Sequence, residues 1–163
     1  MVAMLAALLA AQLELNGNML FHSFGSHSFG GGAFYAPAVK TVAPSLGLEL
    51  RPRIGVQVAR EAGKDLFPVL HGGIQTAVPV WRALHAGPHG GVAYPLSQRT
   101  VIRRLAPVVG VEFSWHREAG DVFEGVPVLA KFLERLFLRY DLVFVSPRLH
   151  EISLGFSLLL DAE

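Results

Sequence analysis

An all-β fold, an antiparallel up-and-down β-barrel of about eight strands, is the fold class that this sequence predicts. Three observations predict it. Apolar and polar residues alternate with a period of two in one segment after another, which is typical of strands with two different faces. The chain of 163 residues is 52% hydrophobic and only 17% charged. Yet no apolar run in it reaches the roughly 20 residues that a membrane-spanning helix needs.

The longest apolar run is MVAMLAALLAA, residues 1–11. Its apolar core and small-residue end resemble a secretory signal, and the alternative is a short apolar helix. We therefore predict a signal peptide or short apolar helix over residues 1–11. The remaining residues, 12–163, are predicted to form a single β-barrel domain.

The alternation is clearest in the last candidate strand, HEISLGFSLLLD. Ile152, Leu154 and Phe156 fall on one face there, while Glu151 and Ser153 fall on the other. An eight-stranded barrel is just wide enough for side chains to fill its interior. The predicted strands cover residues 12–23, 45–51, 54–61, 67–78, 84–94, 105–117, 137–146 and 149–161.

Two segments rich in turn-forming residues are predicted to be connections. FHSFGSHSFGGGAFY, residues 21–35, repeats His-Ser-Phe-Gly and ends in a glycine run, which favours an extended loop. His22 and His27 are five positions apart and point to opposite faces of a regular strand, so they predict no metal site. Arg51-Pro52-Arg53 predicts a tight reversal between two short strands.

One segment has helical rather than alternating spacing. In GVPVLAKFLERLFLR, Pro127 suits the first turn of a helix, and apolar residues recur three and four positions apart after it. A short amphipathic helix is therefore predicted near residues 127–137. The apolar residues on its predicted face are Val128, Leu129, Phe132, Leu133, Leu136 and Phe137.

The composition excludes two classes of function. The formal net charge is +1, and the basic residues do not alternate with aromatic ones, so the sequence predicts no nucleic-acid binding. Cysteine is absent, which excludes disulfides and thiolate sites.

Taken together, the signal-like residues 1–11, the repeated alternating segments and the strand Glu151–Asp161 resemble small bacterial outer-membrane β-barrel proteins. The resemblance implies a location in the bacterial outer membrane, with the lipid bilayer as partner. The periplasm is the alternative location.

Charged and histidine side chains share the polar face of the predicted strands. Because buried charges need partners, we expect them to form a network inside the barrel, with Arg139 paired to Asp141 or Glu112. No catalytic residue, metal site or cofactor is assigned. The interior candidates for binding are Glu49, Arg51, His71, His89, Glu112, His116, Arg139 and Asp141.

Three functional hypotheses remain open at this point. The first is an outer-membrane barrel with a structural or envelope role and no catalysis. The second is a soluble periplasmic lipocalin-like barrel that binds an apolar ligand inside. The third is a barrel enzyme that modifies lipid A with the pairs His22-Ser23 and His27-Ser28. The first two differ in whether Leu46, Val111, Phe113, Leu142, Phe144, Leu154 and Phe156 face outward or inward.

Overall fold

The part of the chain that the structure describes forms nine antiparallel strands and one short 3-10 helix, Pro44–Leu46. A computed structural model describes residues 12–22, 27–37, 40–61, 66–96, 104–116, 133–145 and 148–159; the predicted signal segment, 1–11, lies outside them. No helix among the described residues is long and apolar enough to cross a membrane. The strands are β1 (Gln12–His22), β2 (His27–Ala36), β3 (Lys40–Ala43), β4 (Leu48–Glu61), β5 (Leu66–Trp81), β6 (Leu84–Pro95), β7 (Ala106–His116), β8 (Leu133–Val143) and β9 (Leu149–Leu159).

The sheet closes into a barrel. From β4 to β9 each strand pairs with its neighbour in sequence, β1 pairs with both β2 and β9, and β2 pairs with β4. The short β3 pairs with the start of β4, on the side where β2 pairs further along. β2 and β3 therefore occupy one position in the wall, and the barrel has eight strand positions. The predicted antiparallel up-and-down barrel is confirmed.

Alternation along each strand separates a buried inner face from an outer face. Strand β7 shows the pattern over its whole length. Its buried residues are Ala106, Val108, Glu112, Ser114 and His116, and the exposed residues between them are Pro107, Val109, Phe113 and Trp115. The same residues that carry the alternation in sequence thus build the two faces of the wall.

The two His-Gly-Gly segments of the sequence lie opposite each other in β5 and β6, where Gly73 pairs with Gly91. A Cβ added at Gly91 would lie 2.3 Å from the carbonyl oxygen of Gly72, so only glycine fits there. At Gly72 an added Cβ would meet no atom within 4 Å. These glycines therefore allow close approach of two strands and form no separate loop.

Strand β2 corrects the prediction of an extended loop over residues 21–35. His27–Ala36 is a regular strand paired on both sides, and residues 23–26 lie outside the described part. The glycine run makes room for an inward aromatic ring, since a Cβ at Gly32 would lie 2.9 Å from the ring of Phe34. Glycine here serves packing inside a narrow barrel and does not make a turn.

Strand β4 corrects the predicted reversal at Arg51-Pro52-Arg53. Leu48–Glu61 is one continuous strand, so the two predicted strands 45–51 and 54–61 are a single element. Pro52 pairs with β5, and on its other side it lies between the last pair of β2 and the first pair of β3. A residue that lacks an N–H is tolerated at such a break in the ladder.

The predicted helix over residues 127–137 is wrong where the structure describes it. Residues 127–132 lie outside the described part, and Leu133–Val143 is strand β8. Arg135 and Phe137 are both buried, two positions apart, as alternation requires. A buried guanidinium group needs anionic partners, and the inner face of the barrel supplies them to Arg135.

Candidate functional site in the barrel interior

The barrel has a polar interior and an apolar outer surface. Of the residues predicted to face lipid, Phe113, Phe144 and Leu154 are 43%, 45% and 67% exposed. The other residues of that set, Leu46, Val111, Leu142 and Phe156, are exposed or half-buried. A lipocalin-like barrel needs these apolar residues inside, whereas the structure places them on the outer surface.

The middle of the interior holds a network of two arginines and two glutamates. Arg135 and Arg139 of β8 each donate to Glu14 of β1 and Glu112 of β7. Arg139 Nε lies 2.9 Å from Glu112 Oε2, and its Nη2 lies 3.3 Å from Glu14 Oε2. The ring of Phe137 packs against both guanidinium groups, at 5.1 and 4.6 Å from their central carbons. The charges of these four residues balance one another, and Arg53 of β4 approaches the network, with its Nη1 3.8 Å from Glu14 Oε2.

A second polar cluster surrounds Glu151 of β9. Its Oε1 accepts hydrogen bonds from Asn18 Nδ2 at 3.0 Å, Gln57 Nε2 at 2.6 Å and Ser153 Oγ at 2.8 Å. The donors come from β1, β4 and β9, so these bonds connect strands across the interior. The cluster is held by hydrogen bonds from neutral side chains, unlike the ion-paired network beside it.

A cavity of about 10 Å³ lies against the wall formed by β5 and β6. Arg53, His71 and His89 line it, and His89 Nε2 is in contact with Asp141 Oδ1 of β8. A space of this size holds a single water molecule. It is too small for an organic ligand.

At the end of the barrel where β1 begins and β7 ends, four side chains form a cluster that we call the polar mouth: Glu49 and Arg51 of β4, His85 of β6 and His116 of β7. Arg51 Nη2 lies 2.5 Å from Glu49 Oε2 and 3.2 Å from His116 Nε2. The two imidazole rings stack, with centroids 3.9 Å apart and planes 21° apart. Ser114 Oγ lies 3.2 Å from His116 Nε2. The mouth thus gathers acidic, basic and imidazole groups in one layer.

The opposite end, where β8 ends and β9 begins, is filled by apolar side chains that we call the apolar plug. Its members are Leu20, Phe67, Val69, Ala93, Ala106, Val108, Val143 and Leu149. The plug occupies the interior at this end of the barrel, and the central network lies between the plug and the polar mouth.

All the interior residues predicted as binding candidates lie on the inner face. They are Glu49, Arg51 and His116 at the polar mouth, Glu112 and Arg139 in the central network, and His71, His89 and Asp141 beside the cavity. The predicted ion pair between Arg139 and Glu112 is confirmed. A binding role for these residues stays a prediction.

Arg135 and Gln75 are interior residues that the sequence analysis does not predict. Arg135 falls within the predicted helix, and Gln75 donates to Glu112 Oε1 at 2.5 Å. The signal for both is the alternation itself, since Arg135 lies four positions from Arg139 and Gln75 four from His71.

Of the His–Ser pairs of the enzyme hypothesis, His22 is the last residue of β1, and His27 and Ser28 begin β2. The side chains of His22 and His27 and residues 23–26 lie outside the described part. That hypothesis therefore stays a prediction.

Comparison with known proteins finds matches among solved structures but none among families or curated proteins. No protein-family model matches the sequence, and no curated protein matches it at a significant level. A de novo designed transmembrane β-barrel is similar at 16% identity over 90% of this chain and 93% of that chain, with a TM-score of 0.49. Ail, the attachment invasion locus protein of Yersinia pestis, is similar at 8% identity over 91% of this chain and 95% of that chain, with a TM-score of 0.48. The structure of Ail in complex with the heparin analogue sucrose octasulfate is similar at 10% identity over 91% of this chain and 95% of that chain, with a TM-score of 0.43.

The chain has the architecture of a small transmembrane β-barrel. Its sheet is closed, its outer surface carries large exposed apolar side chains, and charged side chains such as Glu14, Glu112 and Arg135 are buried inside, which is the arrangement that a hydrocarbon environment requires. This conclusion rests on the polarity of the two faces of the wall.

Proposed function

We propose that the protein is a bacterial outer-membrane β-barrel with a structural, non-catalytic role in the cell envelope. The observation that carries the proposal is the inverted polarity of the wall. Closed barrels and helices are the only structures that cross a bilayer, because each backbone polar group must be satisfied internally. The closure of β1 on β9 and of β2 on β4 meets that condition.

The outer surface supports a position across a bilayer. Large apolar side chains are exposed on successive strands from one end of the barrel to the other, among them Trp81 and Trp115 near the polar mouth and Tyr94 near the apolar plug. Tryptophan and tyrosine favour the two interfaces of a membrane, where an apolar ring with a polar group suits the headgroup region.

The side chains that occupy the described interior support a structural role rather than a channel. The described interior contains an ion-paired network, a cavity of about 10 Å³ and the apolar plug. A conducting barrel needs a water-filled lumen instead.

Membrane fractionation tests the proposal. After expression in a Gram-negative host, we expect the protein in the outer-membrane pellet after washing with high salt and with alkaline carbonate. On a denaturing gel it should migrate differently when unheated and when boiled, because a closed barrel resists detergent until heated. Release by salt, with the same migration in both lanes, would contradict the proposal.

A further inference from the structure

Three side chains at the polar mouth have the chemistry and the proximity of metal ligands. Glu49, His85 and His116 each offer one ligand atom, and these atoms all lie within 4.8 Å of one another. Imidazole nitrogen and carboxylate oxygen are the ligands of three-residue sites for Zn²⁺ and related ions. No other group of this kind occurs among the described residues.

The barrel wall brings the three ligands together. They come from β4, β6 and β7, and each lies on the inner face close to the end of its strand. Residues on well-paired strands hold their positions more precisely than residues on loops. Glu49 remains 21% exposed at its side chain, so an ion has access from the mouth.

Arg51 contacts two of the three candidate ligands, Glu49 and His116. Its Nη2 lies 2.5 Å from Glu49 Oε2 and 3.2 Å from His116 Nε2. A lone pair of Glu49 or His116 that accepts a hydrogen bond from the guanidinium group cannot coordinate a metal ion at the same time. The guanidinium group and the metal ion also repel each other, because both are cations. Arg51 is therefore a built-in competitor for any cation that enters the mouth.

We propose that Glu49, His85 and His116 form a binding site for a divalent transition-metal ion such as Zn²⁺, with Arg51 as the competing cation. Ligands bound to one ion at about 2.1 Å lie roughly 3.4 Å apart in a tetrahedral arrangement. Binding therefore requires the stacked rings of His85 and His116 to rotate so that a nitrogen of each faces the ion, and it displaces the guanidinium group. Three protein ligands leave the fourth coordination position to water.

Titration of the full chain with Zn²⁺, folded in detergent, tests the site. We expect one equivalent to bind by calorimetry. Co²⁺, used as a spectroscopic probe, should give the visible absorption of a low-coordinate nitrogen and oxygen site. Glu49→Gln, His85→Gln and His116→Gln should each weaken Zn²⁺ binding by about tenfold or more. His150→Gln, which changes a histidine on the outer face of β9, should leave binding unchanged.

The Arg51→Gln variant should change the affinity for Zn²⁺ in the opposite direction from the ligand variants. Removal of the competing charge should tighten Zn²⁺ binding, whereas a purely structural role of Arg51 predicts weaker binding or none. Heat-dependent gel migration shows that each variant is folded. The proposal is overturned if the unmodified chain binds no Zn²⁺, if the His85 and His116 variants bind as the unmodified chain does, or if Arg51→Gln weakens binding.

Discussion

At the scale of single residues, the interior depends on charge balance. Arg135 and Arg139 lie between Glu14 and Glu112, and each carboxylate accepts from both guanidinium groups. Each buried charge is stable only while its partners remain, because transfer of a lone ion from water to such an interior costs several kcal/mol. Removal of one charge therefore affects the whole cluster.

Glu112→Gln is predicted to destabilise the barrel by about 3–5 kcal/mol, since it leaves a positive charge uncompensated between Arg135 and Arg139. The measurement is the guanidinium unfolding midpoint of the protein in liposomes. The double variant Glu112→Gln with Arg139→Gln restores neutrality. It should be more stable than the sum of the single effects, by about 0.5–3 kcal/mol. Strict additivity would show that the two residues do not interact.

Residue-level reasoning from the sequence succeeded where alternation was unbroken and failed where a residue fitted two patterns. The pair Arg139–Glu112 was predictable because both lie in clean alternating segments. Leu133 and Phe137 fit a helical period as well as an alternating one, so Arg135 between them was assigned to a helix. Alternation can place His85 and His116 on the inner face, but their contact depends on the pairing of β6 and β7.

At the scale of elements, glycine and proline in the sequence wrongly predict loops and turns where the pairing of the surrounding strands determines their conformation. The run in β2 was predicted as a loop, and Pro52 in β4 as a turn, yet both lie within strands. The first error removed a strand and the second added one, so the strand count remained eight. Neither the inward ring of Phe34 nor the break between β2 and β3 can be known before the strands are paired.

The glycines of β5 and β6 give a matched pair of substitutions. Gly91→Ala is predicted to destabilise the barrel by about 1–3 kcal/mol, since its Cβ would lie 2.3 Å from the backbone oxygen of Gly72. Gly72→Ala, on the open outer side, should stabilise the barrel by about 0.4–1 kcal/mol, because alanine lowers the conformational entropy of the unfolded chain. Unfolding midpoints in liposomes measure both. Equal effects would mean that the close approach of the two strands does not matter.

At the scale of the whole molecule, the cost of a charged residue on the outer surface depends on whether water or lipid surrounds the barrel. Leu154 is 67% exposed in the middle of β9, and Leu158 lies on the same face nearer the end of that strand. In water, arginine at an exposed position costs little. In a bilayer, its cost depends on depth.

Leu154→Arg is therefore predicted to destabilise the protein by about 2–4 kcal/mol in liposomes, and Leu158→Arg by about 0–1 kcal/mol. The physical reason is the greater distance from water at mid-membrane. Unfolding by guanidinium in liposomes gives both values on one scale. Two small and equal effects would contradict a membrane-spanning barrel.

The unequal ends of the barrel make the two sides of its membrane inequivalent. Eight hydrocarbon side chains close one end, while the carboxylate of Glu49 reaches solvent at the other. An ion that binds at the proposed site would therefore enter from the compartment that the polar mouth faces, so its occupancy would follow the concentration on that side.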